Sequence, residues 1–258
     1  MKRSRICLTI TIITFIFLYL PIFMLMINSF NASRFGGVWA GFSLKWYERM
    51  LQESIMWESL QNSLIVAISS TIISTILGTF AAFALHFYRS KTQKVHYALI
   101  YTPLVIPDIL MGISLLLFFF ALNIKLGLLT ITIAHTTFCV SYVTMVMLSK
   151  LQHFDFSVVE AALDLGAKMP AVIRRILLPL LSPGIFSAAL LAFTLSIDDF
   201  VITFFMAGEG TSTLPIYIYS MGKFGATPII NALSTAILCI TFLFVLLFHT
   251  FSREEGEI

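Results

Sequence analysis

The sequence predicts an all-α integral membrane fold with six transmembrane helices, and three observations carry that prediction. Of 258 residues, 59% are hydrophobic and only 11% charged, where an ordinary soluble domain carries roughly 25% charged residues. Phenylalanine alone occupies 25 positions, and a soluble fold of this length has no interior able to hide so much apolar side chain. The charges gather in short groups between apolar runs long enough to cross a hydrocarbon core of about 30 Å. A net charge of +3, with the basic residues near the ends of those runs, orients a membrane protein in lipid and implies no nucleic acid partner.

The first span, 6–27, follows Lys2, Arg3 and Arg5 and runs into Asn28-Ser29-Phe30-Asn31 without a small-x-small cleavage site. It is expected as an uncleaved helix whose N-terminus lies in the cytoplasm. The second, 61–87, carries Ser70, Ser74, Gly78 and Ala82 at every fourth residue, a small-residue stripe that lets another helix approach closely. The third, 97–121, and fourth, 126–148, are separated only by Asn123-Ile124-Lys125 and Gly127, which suits a tight hairpin. The fifth, 183–206, and sixth, 229–250, complete an even number, so the C-terminus is also expected inside. On that topology 11 Lys and Arg residues are cytoplasmic and five, Arg34, Lys45, Arg49, Lys125 and Lys223, external, as the positive-inside rule requires. Cys7, Cys139 and Cys239 lie inside apolar runs without metal or redox spacing and read as small core residues. No internal repeat is evident, which disfavours folds built from duplicated halves.

The longest cytoplasmic loop, 149–182, is built unlike a linker. Ser157-Val158-Val159-Glu160 has capping-box spacing, the helix it opens continues through Leu165, and Gly166 is placed to end it. Pro170 then suits the start of a second short helix carrying Arg174 and Arg175. Glu160-Ala161-Ala162, Gly166, Ile176, Leu178 and Pro179 together resemble the EAA loop of ABC importer permeases. The resemblance implies that Glu160, Ala161, Ala162 and Gly166 form an ATPase-coupling helix, seated in a cleft of a cytoplasmic ATPase subunit. A helix merely lying on the membrane surface is the plainer alternative.

The chain itself has no GxxxxGK[ST] phosphate loop, no nucleophile grouping and no His/Cys cluster with metal-ligand spacing. It is therefore expected to be a transport subunit rather than an enzyme, to bind no metal or cofactor, and to rely on ATP used by partner subunits.

Within the spans the strong charges are all acidic: Asp108 in the third, Asp198 and Asp199 in the fifth. Each costs about 2.5 to 3.5 kcal/mol near the bilayer centre on insertion scales, so an uncompensated set points to a functional site. On straight helices Asp108 lies about 16 Å from the cytoplasmic face and Asp198 about 22 Å beyond Pro183. A cation entering from outside would meet these carboxylates, with Pro103 and Pro107 freeing backbone carbonyls and Tyr101, Tyr217 and Tyr219 offering ring faces to an alkylammonium chain. The plainer reading has Asp198 or Asp199 accepting hydrogen bonds from Ser196 or Thr203 at a helix interface. His135, beside Thr136 and Thr137, reads as a neutral, hydrogen-bonded packing residue.

A wider resemblance joins the EAA loop. Asn28-Ser29-Phe30-Asn31, Arg34-Phe35, Lys45-Trp46-Tyr47, Pro107-Asp108-Ile109, Ile133 to Cys139 and Leu195 to Asp199 are similar to the PotC-type permeases of spermidine/putrescine importers. The resemblance implies a type I ABC importer (MetI-like) permease fold in a bacterial inner membrane. It implies a first helix and external loop over 1–55, a five-helix core over 56–250 with the coupling loop at 149–182, and a cytoplasmic tail at 251–258. Implied partners are a second, related permease, two ATPase subunits and an external polyamine-binding protein docking on 31–59 and 207–228. The expected substrate path is Asp108, Asp198, Asp199, Tyr101 and Tyr219. Another cargo, an ion-coupled secondary carrier and a non-transporting scaffold remain competitors, and neither the choice between spermidine and putrescine nor the pore-facing member of Asp198 and Asp199 is decided.

Overall fold

The protein is described by a computed structural model covering residues 2–34, 38–88, 91–223 and 228–254, with side chains described from Cys7 to Leu243. Phe35, part of the resemblance, and Arg89, one of the 11 basic residues expected on the cytoplasmic side, lie outside the described residues. The elements in order are α1 (Lys2–Ser29), α2 (Lys45–Gln52), α3 (Ser54–Phe87), α4 (Gln93–Val105), α5 (Asp108–Ala121), α6 (Leu128–Gln152), α7 (Ser157–Asp164) and α8 (Met169–Val172). A π-helical turn (Ile173–Leu177), α9 (Leu178–Ile197), α10 (Val201–Met206), α11 (Leu214–Lys223) and α12 (Pro228–Glu254) follow. Among the described residues the only β pairing is one bridge between Asn31 and Phe42.

Helices α1, α3 and α6 and the unbroken run Met169–Ile197 are each long and apolar enough to cross a membrane. The third predicted span is not a straight helix: α4 and α5 meet at an angle of 112° and make a fifth crossing only as a broken pair. The 16 Å depth of Asp108, which assumed a straight rod, does not survive that bend. The sixth predicted span falls on α12, whose side chains are described only as far as Leu243. The fifth predicted span begins earlier and ends earlier than expected, because Pro170 opens a helix that continues through the π turn into α9 instead of stopping.

The chain divides into two compact units, residues 58–216 and residues 1–57 with 217–258. In the first, α6 is central: it packs against α9, α4, α10 and α5 and buries Ile131, Ala134, Phe138, Cys139, Val143 and Met147. Lipid tails are as apolar as leucine, so helices in a membrane associate through close fit and hydrogen bonds rather than through burial from water. The small-residue stripe of α3 supplies that fit. A Cβ at Gly78 would stand 2.6 Å from Val143 Cγ1, and Ser70 Oγ lies 2.9 Å from Ser196 Oγ of α9. Cys139 is buried at this interface, whereas Cys7 and Cys239 are exposed, so only one of the three cysteines is a core residue.

In the second unit α12 lies beside α1 and α2. The polar segment after α1 is organised by Asn31, whose amide donates to Val38 O at 2.9 Å while its Oδ1 accepts from the backbone of Ser33 and Ala40. Trp46 Nε1 donates to Asn31 O at 2.7 Å, and Lys45 and Arg49 sit over the buried Trp46 ring, 4.6 Å and 5.0 Å from its centroid. These ties make a knot of the Asn28–Tyr47 segment that carried much of the family resemblance.

Candidate functional site

Two breaks in helices build the site. At the first, Pro107 holds the preceding Ile106 extended (φ −70°, ψ 131°), which ends α4. The chain restarts as α5 with Asp108 as its first residue, where the positive end of the helix dipole favours a carboxylate. At the second, α9 ends at Ile197 and α10 begins at Val201, so Asp198 and Asp199 occupy a turn rather than adjacent positions on one helix. Asp199 itself restarts the chain: its Oδ2 accepts from Thr203 N at 2.8 Å and Thr203 Oγ1 at 2.9 Å, and its Oδ1 from Ile202 N at 3.4 Å. Those backbone donors are among the free N–H groups that any helix start leaves over.

Both breaks open on one pocket of about 290 Å³. Asp108, Asp198 and Asp199 line it together with Pro103, Phe138, Tyr142, Leu195, Phe200, Val201 and Ile202. No Lys or Arg is among the lining residues. The three acids differ in their situation. Asp108 and Asp198 are exposed to the pocket, while the Asp199 side chain is only 10% exposed and its carboxylate is occupied by Thr203 and by His135 Nε2 at 3.3 Å. The hydrogen-bonding alternative weighed for the pair therefore applies to Asp199.

Neither predicted tyrosine lines the pocket. Tyr101 of α4 is 43% exposed and its ring lies 6.3 Å from that of Tyr97; Tyr219, half-exposed, and Tyr217, buried, belong to the other compact unit. Phe138, Tyr142 and Phe200 are the aromatic residues that sequence reasoning missed. Phe138 and Tyr142 lie one turn apart on α6, three and seven residues after His135, but nothing local says which face of that helix meets the break in the fifth span.

The loop 149–182 forms a second, separate arrangement. Helix α7 is present, but its N-terminus is capped differently from expectation. Ser157 is the first helical residue and donates its N–H to Asp155 Oδ1 at 3.0 Å, a bond that holds the Asp155 carboxyl below the usual carboxylate range. Gly166 ends the helix as anticipated: at φ +84° its N–H donates to Leu163 O and the next N–H, of Ala167, to Ala162 O, a pair of bonds that closes the last turn. Val159 is buried and Ala162 partly buried, leaving Glu160, Ala161 and Gly166 exposed. Phe156, just ahead of the helix, is gripped by rings from α3 and the loop: His86 at 5.4 Å, Phe87 at 5.3 Å and Phe154 at 4.9 Å. The Phe154-Asp155-Phe156 triplet was the available signal for this clasp, and it went unread because its partners are about seventy residues away.

Against known proteins, residues 74–253 match the family described as binding-protein-dependent transport system inner membrane component. The chain is 44% identical over 243 residues to the putrescine transport system permease protein PotI of Escherichia coli K12, covering 92% of this chain and 86% of that one. It is 38% identical over 241 residues to the spermidine/putrescine transport system permease protein PotC of the same organism, covering 93% and 91%. Among solved structures, a chain of the bacterial alginate ABC transporter in complex with an alginate pentasaccharide-bound periplasmic protein superposes with a TM-score of 0.72. That match is at 17% identity and covers 95% of this chain and 91% of that one, a likeness of fold.

Proposed function

The chain belongs to the binding-protein-dependent transport system inner membrane component family, and we propose that within it this protein is a polyamine permease, forming half of the translocation path of an ATP-driven importer. Membership makes it a multi-pass membrane transport subunit of the type I ABC importer fold. The family and the ABC permease fold together also speak against the ion-coupled carrier and the inert scaffold. The polyamine relatives supply the cargo class, and one observation in this chain carries it: Asp108 and Asp198, two exposed carboxylates, face one aromatic-walled pocket that no basic side chain lines. A flexible chain with an ammonium group at each end suits two such carboxylates, while its methylenes and charges both find favourable contacts against Phe138, Tyr142 and Phe200.

In this reading a second, related permease completes the path, two ATPase subunits bind and hydrolyse ATP, and an external polyamine-binding protein delivers the cargo. Both termini lie in the cytoplasm. ATP-driven closure moves the exposed face of α7 around Glu160, and the pocket receives the ammonium groups at Asp108 and Asp198. Tyr101 and Tyr219 retain a place only further along the path, since neither lines the pocket.

The test is uptake of labelled putrescine and spermidine by cells expressing the complete importer, with Asp108→Asn and Asp198→Asn compared at matched membrane levels. Each substitution is expected to lower uptake roughly tenfold or more, the scale of losing a charge-assisted contact of about 1.5–3 kcal/mol. Undiminished uptake in both variants would mean that the carboxylates are structural and would withdraw this pocket from the path.

A further inference from the structure

His135 was read from the sequence as a packing residue, yet its position gives it a more specific task. It is buried on α6, 1% exposed, with Nδ1 2.7 Å from Ser196 Oγ of α9 and Nε2 2.8 Å from Thr203 Oγ1 of α10. The same Nε2 lies 3.3 Å from Asp199 Oδ2. Ser196 Oγ continues the chain to Ser70 Oγ of α3 at 2.9 Å. With its proton on Nε2, His135 accepts from Ser196 at Nδ1 and donates through Nε2–H to Thr203 and Asp199, while Thr203 donates to Asp199. All donors run toward the one carboxylate that both lines the pocket and faces the interior.

We propose that His135 is a positioning residue for the cation path: it holds the Asp199 carboxylate against α6, so that the turn carrying Asp198 presents its charge to the pocket. The proposal rests on the reading of that pocket as the polyamine path. Thr203 cannot do this alone. It belongs to the first turn of α10 and moves with Asp199, as does the N–H of Ile202. Among the described residues His135 supplies the one ion pair to Asp199 from another element, and through Ser196 it ties the end of α9 to the start of α10 across the break. The break that exposes Asp198 is thus pinned from α6 on both sides.

Two polar substitutions of similar size separate this role from simple packing. In His135→Gln the side-chain amide reaches the place of Nε2 and can still donate to Asp199. In His135→Asn it stops near the place of Nδ1 and keeps only Ser196. The purified complete importer, reconstituted in lipid vesicles with saturating putrescine-loaded binding protein, is assayed for putrescine transported per ATP hydrolysed. A merely structural defect lowers the number of working complexes and leaves that ratio alone. The ratio is expected to fall roughly tenfold in His135→Asn, the scale of one lost hydrogen bond to a charged group, and to stay at least about threefold higher in His135→Gln. Equal ratios in the two variants overturn the proposal, and so does failure of both to co-purify with the partner subunits, which would make His135 an assembly residue. Asp108→Asn and Asp198→Asn in the same assay report separately on the path. Native ratios there sink the polyamine-path reading itself, whereas lowered ratios there with equal Gln and Asn ratios sink only the role of His135.

Discussion

Replacing Glu160 by alanine is expected to reduce ATP-driven uptake roughly 30- to 100-fold, the loss associated with truncating an interfacial hot spot of about 2–3 kcal/mol. The structure explains why this side chain is free to act outward. Helix α7 is secured without it: Asp155 caps the start, Gly166 closes the end, Val159 is buried, and the Phe156 ring is held by His86, Phe87 and Phe154. Among the described residues no side-chain hydrogen bond or ion pair ties Glu160 to the fold, and its place near the positive end of a short helix contributes about 0.3–1 kcal/mol. The variant should therefore accumulate in the membrane and pair with the second permease. Its defect should appear as weakened retention of the ATPase subunits, or as ATP hydrolysis unconnected to transport. The measurement is uptake together with ATPase co-purification at matched membrane levels. Native uptake would remove Glu160 from coupling and leave α7 as a surface helix.

A second large effect is expected from Gly208→Ala, a change of a single methyl. Gly208 lies in the connection after α10, and a Cβ there would stand 2.1 Å from the carbonyl oxygen of Leu126 and 2.7 Å from its carbon. Both are backbone atoms in the hairpin between α5 and α6, and that hairpin is itself fixed. Thr130 Oγ1 accepts from Gly127 N–H at 2.8 Å, and Thr130 also bonds Met206 O at 3.0 Å, tying the start of α6 to the end of α10. No side-chain rotation relieves a clash between main chains. The loop must shift by about an ångström or more, with a cost on the order of 3 kcal/mol. The displacement would also travel back through α10 to Asp199, nine residues earlier, in the turn that also holds Asp198. Gly210→Ala is the control: nothing lies within 4 Å of its Cβ position, and only its φ of +71° opposes the change, at about 1 kcal/mol. The thermal inactivation midpoint of the purified importer should fall markedly for Gly208→Ala and slightly for Gly210→Ala. Equal midpoints would show that the hairpin contact yields more easily than its geometry implies.

What the sequence determined by itself is the part of this protein that lipid dictates. Apolar length requires no knowledge of which helices touch, because each span must satisfy its own backbone and reach across the same thickness of hydrocarbon. The spacing of Glu160-Ala161-Ala162 and Gly166 is equally local, since a helix of two turns and its closing glycine are made by neighbours in the chain. Even the stripe Ser70, Ser74, Gly78 and Ala82 announced a close approach, although not that Val143 would fill it.

Tertiary structure alone decided the rest. Pro107 was visible, but whether a proline kinks a span or breaks it by 112° depends on what receives the freed segment, here α10 packed on α5. That Asp198 faces the pocket while Asp199 is engaged also needed the fold. The partner that distinguishes them, His135, stands 64 positions earlier on another helix. A buried carboxylate takes its character from donors brought to it across the chain, and in the order of residues these donors are only a histidine, a serine and a threonine in apolar surroundings.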